Sequence, residues 1–128
     1  MNEIRILLVE DNEGDILLTL EAFSELPAAT RIDVVRDGAE ALAYLRKEGK
    51  YSKTPLPQLI LLDINMPGIL GTDAAEILLK EMPHCRVVIF SANIQESFRE
   101  RTNAMGIIFV AKPITEKSIA EALHYFLG

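Results

Sequence analysis

The sequence predicts an α/β fold built on a parallel sheet, and three observations carry that prediction. Ile6-Leu7-Leu8-Val9 and Leu59-Ile60-Leu61-Leu62 are unbroken apolar runs. Runs of this length read as parallel strands buried on both faces. Short apolar runs then alternate with longer segments of helical period, the pattern of repeated βα units. Finally, both of these runs stop at acid, the first at Glu10-Asp11 and the second at Asp63. Open parallel sheets hold their ligand crevice at the carboxyl ends of the strands, near a switch in strand order.

Each element follows from local chemistry. The first strand is expected over Ile4 to Val9 and the first helix from Glu13 to Glu25. Asn12 suits the N-cap, and Ile16, Leu20 and Phe23 give an inward stripe. Pro27 helps to stop that helix. The second strand is Arg31 to Val35. Asp37, with Glu40 three residues later, marks the start of the second helix, whose stripe is Ala41, Leu42 and Leu45. Glu48 to Pro57 is a long polar connection in which Gly49, Pro55 and Pro57 argue against regular structure. The third strand is Leu59 to Leu62. Pro67, Gly68 and Gly71 form a loop, and the third helix follows from Thr72 to Met82. Val87 to Phe90 is the fourth strand, ending at Ser91. The fourth helix is expected over Ile94 to Met105, with Gly106 at its C′ position. The fifth strand is Ile107 to Val110, followed by Lys112-Pro113. The fifth helix spans Glu116 to Leu127, with Ile119, Ala122, Leu123 and Phe126 facing inward. Five parallel strands and five helices make a three-layer doubly wound sandwich, for which the flavodoxin-like order 2-1-3-4-5 is expected.

Composition bounds the function. The 128 residues suit one domain, residues 1–128, with one core. A net charge of −6 argues against a general nucleic-acid or membrane-surface binder. Cys85 is the single cysteine, which excludes an internal disulfide and fits a reducing compartment. No signal-peptide pattern is seen, and no apolar run approaches the roughly 20 residues of a membrane span. A cytoplasmic protein is expected.

Glu10-Asp11, Asp63, Ser91 and Lys112 follow the first, third, fourth and fifth strands. In a parallel sheet those ends converge on one edge. Three carboxylates there repel one another. Mg²⁺ removes the conflict, since it suits a site with few protein oxygens and several waters. Asp11 and Asp63 are the expected ligands, with Glu10 touching the ion or acting through water. Asp63 is the candidate nucleophile, because a carboxylate accepts a phosphoryl group covalently. Phosphoryl transfer requires alignment and charge neutralisation above all. Lys112 offers a cationic donor to phosphate oxygens, and Ser91 a hydroxyl. Any one of these residues could cap a helix or finish a strand. Acid, acid, hydroxyl and lysine at four strand ends together are not explained that way. His84 and His124 lack metal-ligand spacing and read as surface or partly packed residues, and Cys85 reads as a small packed one.

These residues resemble a known family, the receiver domains of two-component response regulators, along nearly the whole chain. The matching stretches are Ile6-Leu7-Leu8-Val9-Glu10-Asp11-Asn12, Leu61-Leu62-Asp63-Ile64-Asn65-Met66-Pro67-Gly68, Phe90-Ser91-Ala92 and Ala111-Lys112-Pro113. Val35-Arg36-Asp37-Gly38-Ala39-Glu40-Ala41-Leu42 and the longer loop before the third strand resemble single-domain regulators that partner bacterial phytochrome kinases. The resemblance implies that Asp63 accepts a phosphoryl group from a histidine kinase or phosphotransfer protein. It implies Mg²⁺ on Asp11, with the backbone carbonyl of Asn65 as a further ligand and Glu10 at the first acidic position. Ser91 and Lys112 would contact the phosphoryl group, while Ser91 and Phe109 would form the switch. The expected output is a downstream protein partner or self-dimerisation, with no direct nucleic-acid or membrane contact. Leu70 departs from the family pattern, which has Asp there.

The reading is a phosphoacceptor signalling domain, not a conventional enzyme. A degenerate receiver would lack a site residue, and none is missing. A hydrolytic phosphatase with an aspartyl nucleophile places a second acid two residues later, where this chain has Asn65. A flavin-binding flavodoxin needs a hydroxyl- and glycine-rich loop after the first strand, whereas Glu10-Asp11-Asn12-Glu13-Gly14-Asp15 repels a flavin phosphate.

Overall fold

The computed structural model describes residues 3–25, 30–63, 77, 80–81, 86–91, 100, 108–111, 115 and 117–120. Among them are five strands: β1 (Ile4–Val9), β2 (Thr30–Val35), β3 (Leu59–Asp63), β4 (Arg86–Ser91) and β5 (Ile108–Ala111). All pair in parallel, in the order β2-β1-β3-β4-β5. The chain moves outward from β1 to β2, then back across to β3. The switch in strand order therefore lies between β1 and β3, the two strands that end in acid.

The strands run slightly past the apolar runs. β2 starts at Thr30, β3 takes in Asp63, β4 spans Arg86 to Ser91, and β5 continues through Ala111. The ladder is made by backbone groups, so it does not stop where side chains turn polar. The acceptor candidate is thus the last residue of a strand and not the first of a loop.

Helix α1 (Glu13–Ser24) is one residue shorter than expected, with Glu25 as its C-cap. Asn12 caps it, its side-chain oxygen accepting from the Asp15 N–H at 2.9 Å. A Cβ on Gly14 would meet that oxygen at 3.2 Å, so the missing side chain leaves the cap room. Thr19 is buried beside Ile16, Ala22 and Phe23, while Leu20 is half-buried. The Thr19 hydroxyl donates to the Asp15 carbonyl at 2.7 Å, which lets a polar residue lie in the core.

Helix α2 (Gly38–Leu45) is capped by Asp37, whose side chain accepts from the Glu40 N–H at 2.7 Å. Its buried stripe is Ala41, Tyr44 and Leu45, with Leu42 half-buried, so the expected stripe is corrected at one position. Tyr44 can be buried because its hydroxyl donates to Asp33 at 2.6 Å. The connection after α2 is less irregular than expected. It holds a 3₁₀ turn, Gly49–Tyr51, closed by Ser52 N–H donating to the Gly49 carbonyl at 3.2 Å. One such turn needs a single i→i+3 bond, and Gly49 enters it at a φ of 56°.

Residues 77, 80–81, 100 and 117–120 are helical. Thr115 and Ser118 cap the last of these segments reciprocally: Ser118 N–H donates to Thr115 Oγ1 at 3.1 Å, and Thr115 N–H to Ser118 Oγ at 2.7 Å. The remainder of the expected third, fourth and fifth helices lies outside the described residues. So do Asn65, Leu70, His84, Cys85, Lys112 and His124.

The sheet is covered on both faces. On one, Ile6, Leu8, Leu59, Leu61, Val88, Phe90 and Val110 join Ile16, Ala22 and Phe23 of α1 and Ile119 in one core cluster. On the other, Leu7, Val9, Ile60, Leu62, Val35 and Ile89 are also buried, as are Ala41, Tyr44 and Leu45 of α2. Helices thus flank a parallel sheet in the flavodoxin-like manner. No described helix is long and apolar enough to cross a membrane.

The tyrosines beside α2 make stability fall in alkali. Burial, then a hydrogen bond to Asp33, raises Tyr44 far above the ordinary phenol value. Burial, then a hydrogen bond to Glu40, pushes Tyr51 from 10.0 up to about 12. Above pH ~10 the unfolded chain sheds protons that the folded chain keeps, so stability declines as pH rises. Urea midpoints should fall from pH 9 to pH 11, and less steeply in Tyr51→Phe than in the native protein. Equal slopes would contradict this origin.

Candidate metal centre

The register of β1 and β3 brings the acids together. Val9 pairs with Leu62, so Glu10 and Asp63 are neighbours one step further along adjacent strands. The Glu10 N–H donates to the Val35 carbonyl at 3.0 Å, which extends the β1–β2 ladder by one bond. Its carboxylate accepts from the Asn12 N–H at 3.3 Å. Glu10 is 2% exposed and Asp63 4%, whereas Asp11 is exposed to solvent. One carboxylate oxygen from each of the three lies within 4.8 Å of the others.

This donor set fits a hard divalent cation. Mg²⁺–oxygen distances of about 2.1 Å put opposite ligands of an octahedron about 4.2 Å apart, close to the span of the cluster. Two buried carboxylates and one exposed one leave one side open to water or a ligand. The surroundings fix the site from behind: Asn12 pins Glu10 with its N–H while capping α1 with its side chain. Arg36, just past β2, forms an ion pair with Glu13 in the first turn of α1. Sequence reasoning identified Asn12 as a cap but missed its hold on Glu10, since that bond depends on the tightness of the turn. The pairing of Arg36 with Glu13 carried no sequence signal, because it joins residues on two different elements.

The other site residues lie along the same sheet edge to the extent that they are described. Asp63 pairs with Phe90, and the next residue, Ser91, ends β4 opposite Ala111. Lys112 follows Ala111 in the chain and is outside the described residues, as is Asn65. The backbone of Phe109 pairs with Ile89, two residues before Ser91.

Comparison with known proteins agrees with this geometry. Residues 6–124 match the family described as the response regulator receiver domain. The chain is 35% identical to response regulator Rcp1 of Synechocystis sp. over 96 residues, covering 71% of this chain and 63% of Rcp1. It is similar to the solved structure of the phosphorylated cyanobacterial phytochrome response regulator RcpA. That match has 32% identity and a TM-score of 0.80, and covers 98% of this chain and 88% of RcpA. It is also similar to the Mn²⁺-bound form of Rcp1, at 27% identity and a TM-score of 0.80, covering 89% of this chain and 84% of that one. The acidic cluster at the strand-order switch and the match across almost the whole sequence lead to one conclusion: this chain belongs to the receiver-domain family of two-component response regulators.

Proposed function

We propose that this chain, read as one domain over residues 1–128 with five strands and five helices, is a Mg²⁺-dependent phosphoacceptor. A histidine kinase or phosphotransfer protein in the cytoplasm would charge it, and a downstream protein or a second copy would read the result. The observation that carries this reading is the buried Asp63 with Glu10 and Asp11 within 4.8 Å. The Mn²⁺ bound to Rcp1, the phosphorylated state of RcpA and the phytochrome connection of RcpA support it as properties of similar proteins.

Asp11, Asp63, Glu10 and the backbone carbonyl of Asn65 would hold the cation, which neutralises the carboxylates and the phosphoryl oxygens when bound. An Asp63 carboxylate oxygen attacks the phosphorus of a phosphohistidine. The P–N bond breaks, its electron pair returns to the imidazole, and Asp63 carries an acyl phosphate. Hydrolysis reverses the modification: water attacks phosphorus, and the carboxylate leaves with inorganic phosphate as the other product. The Ser91 hydroxyl and Lys112 ammonium donate to the phosphoryl oxygens. Burial of Asp63 limits water to the open side, which slows hydrolysis of the acyl phosphate. In this reading the domain assists its own chemistry and is not a turnover enzyme.

Output follows from where the phosphoryl group draws Ser91. Displacement of that hydroxyl toward phosphate opens space that Phe109 fills, reshaping the outer surface near β5. Phosphorylation shifts this equilibrium only by stabilising one state more than the other.

Three outcomes test the proposal. Acetyl phosphate with Mg²⁺ should add one phosphoryl group by intact mass, and Asp63→Asn should remove it; modification mapped to Glu10 or Asp11 would overturn the assignment. In Mg²⁺ titrations, Asp11→Asn should weaken affinity by about tenfold or more, as loss of a ligand charge demands; an unchanged affinity would move the metal elsewhere. Ser91→Ala and Phe109→Ala should keep Mg²⁺ binding but lose the phosphorylation-dependent gain in partner binding or dimerisation. Equal gains in all three proteins would exclude this switch.

A further inference from the structure

A polar cavity runs along β2 from Arg31 to Val35, between the start of β1, α2, the 3₁₀ turn and the connection after it. It measures about 560 Å³ and is lined by Arg5, Arg31, Lys50 and Lys53, with Asp33 the one carboxylate among its described lining residues. Its apolar side is made by Val34, Val35, Pro55 and the rings of Tyr44 and Tyr51. The size is that of a small-molecule pocket. The chain carries 13 lysines and arginines against 19 acids, yet four of those cations share this one cavity.

The arrangement is costly unless something anionic answers it. Arg5 and Arg31 are direct register partners on β1 and β2, two like charges side by side on neighbouring strands. No carboxylate among the described residues forms an ion pair with Arg5, Arg31, Lys50 or Lys53. Asp33 is already engaged, since its carboxylate accepts from the Tyr44 hydroxyl at 2.6 Å. The Tyr51 hydroxyl is likewise tied to Glu40 at 2.7 Å. The two rings, 5.1 Å between centroids and tilted by 56°, form a fixed wall, and Lys50 rests over Tyr51 at 5.2 Å. The floor of the pocket is therefore preorganised, while none of its four cations is spent on an ion pair among the described residues.

We propose that this cavity binds a diphosphate group. Each guanidinium fork matches one phosphate bidentately, and Arg5 and Arg31, register partners on adjacent strands, offer two such forks to the two phosphates of one diphosphate. Lys50 and Lys53 close the open rim as mobile point charges. One carboxylate, already hydrogen-bonded, offsets only a quarter of the positive charge. A diphosphate arrives either free or as part of a nucleotide, and the two sources share this recognition. Glu10, Asp11 and Asp63 do not line it, and the site stands whether or not the phosphoacceptor reading holds.

The test is calorimetric titration in EDTA, so that no divalent cation bridges the ligand to the acidic cluster. Inorganic pyrophosphate and ADP are the probes, with adenosine as control. Both diphosphates should bind one per chain, and adenosine should not. Equal affinities identify the diphosphate alone as the ligand; tighter ADP binding identifies a nucleotide. Arg31→Gln, a change at an exposed position, should weaken both by about tenfold, and Lys53→Gln should weaken them less. Amide shift changes on adding pyrophosphate should centre on residues 31–34 and 50–54. Absence of binding by both diphosphates, affinity unaltered in Arg31→Gln, or shifts centred on Glu10, Asp11 and Asp63 would each overturn the proposal.

Discussion

Repulsion among three carboxylates at the mouth of β1 and β3 is the constraint on which the rest of the structure turns. Unit charges about 4 Å apart cost about 1 kcal/mol per pair in water and about 4 kcal/mol near a protein surface. The cluster persists because its backbone is committed elsewhere. Ile6, Leu7, Leu8 and Val9 of β1, and Leu59 to Leu62 of β3, are at most 2% exposed. Burial of each such side chain contributes about 1.5–3 kcal/mol. The register that buries these eight residues also fixes where Glu10 and Asp63 must stand. The hydrophobic interior thus positions charges that would separate if left to themselves, and in the proposed function a cation would turn that tension into binding energy.

The same logic runs outward through the caps. Asn12 holds Glu10 with its backbone and starts α1 with its side chain, so helix and carboxylate are set by one residue. Asp37 caps α2, while the Glu40 carboxylate accepts from the Arg36 N–H at 3.3 Å and from the Tyr51 hydroxyl at 2.7 Å. That pair of bonds ties the end of β2 to the connection before β3. Farther along, Arg46 grips Glu81 with two bonds at 2.8 and 2.7 Å, joining the end of α2 to helical residues 80–81. This guanidinium joins two outer segments, and exposure keeps its contribution small.

The strand runs and the acids that end them were readable because both report burial and chemistry in consecutive residues. The run Ile6 to Val9 of β1 and the run Leu59 to Leu62 of β3 read as fully buried and are so. Glu10, Asp11 and Asp63 read as one cluster and lie together. What was not readable depends on register or on partners distant in sequence. Tyr44 is buried because Asp33, on another element, satisfies its hydroxyl. Leu42 gives way to it for the same reason. The 3₁₀ turn at Gly49–Tyr51 needs only one local bond, too weak a demand to mark the sequence. Nothing in the sequence pairs Arg5 with Arg31; only the β1–β2 register does, so the basic cavity was invisible until the sheet was in hand. Asn65 and Lys112 fall outside the described residues, and their roles rest on the family pattern.

The central claim is that a buried carboxylate cluster stores repulsion that a divalent cation relieves. Urea unfolding of native protein and Asp63→Asn, each without divalent metal and with saturating Mg²⁺, tests it most directly. Without metal, Asp63→Asn should be the more stable protein, because the amide keeps the shape of the side chain and removes two repulsions. With Mg²⁺ the order should reverse, since only the native cluster gains from the ion. An Asp63→Asn protein less stable than native without metal, or a Mg²⁺ stabilisation equal in both, would contradict the account.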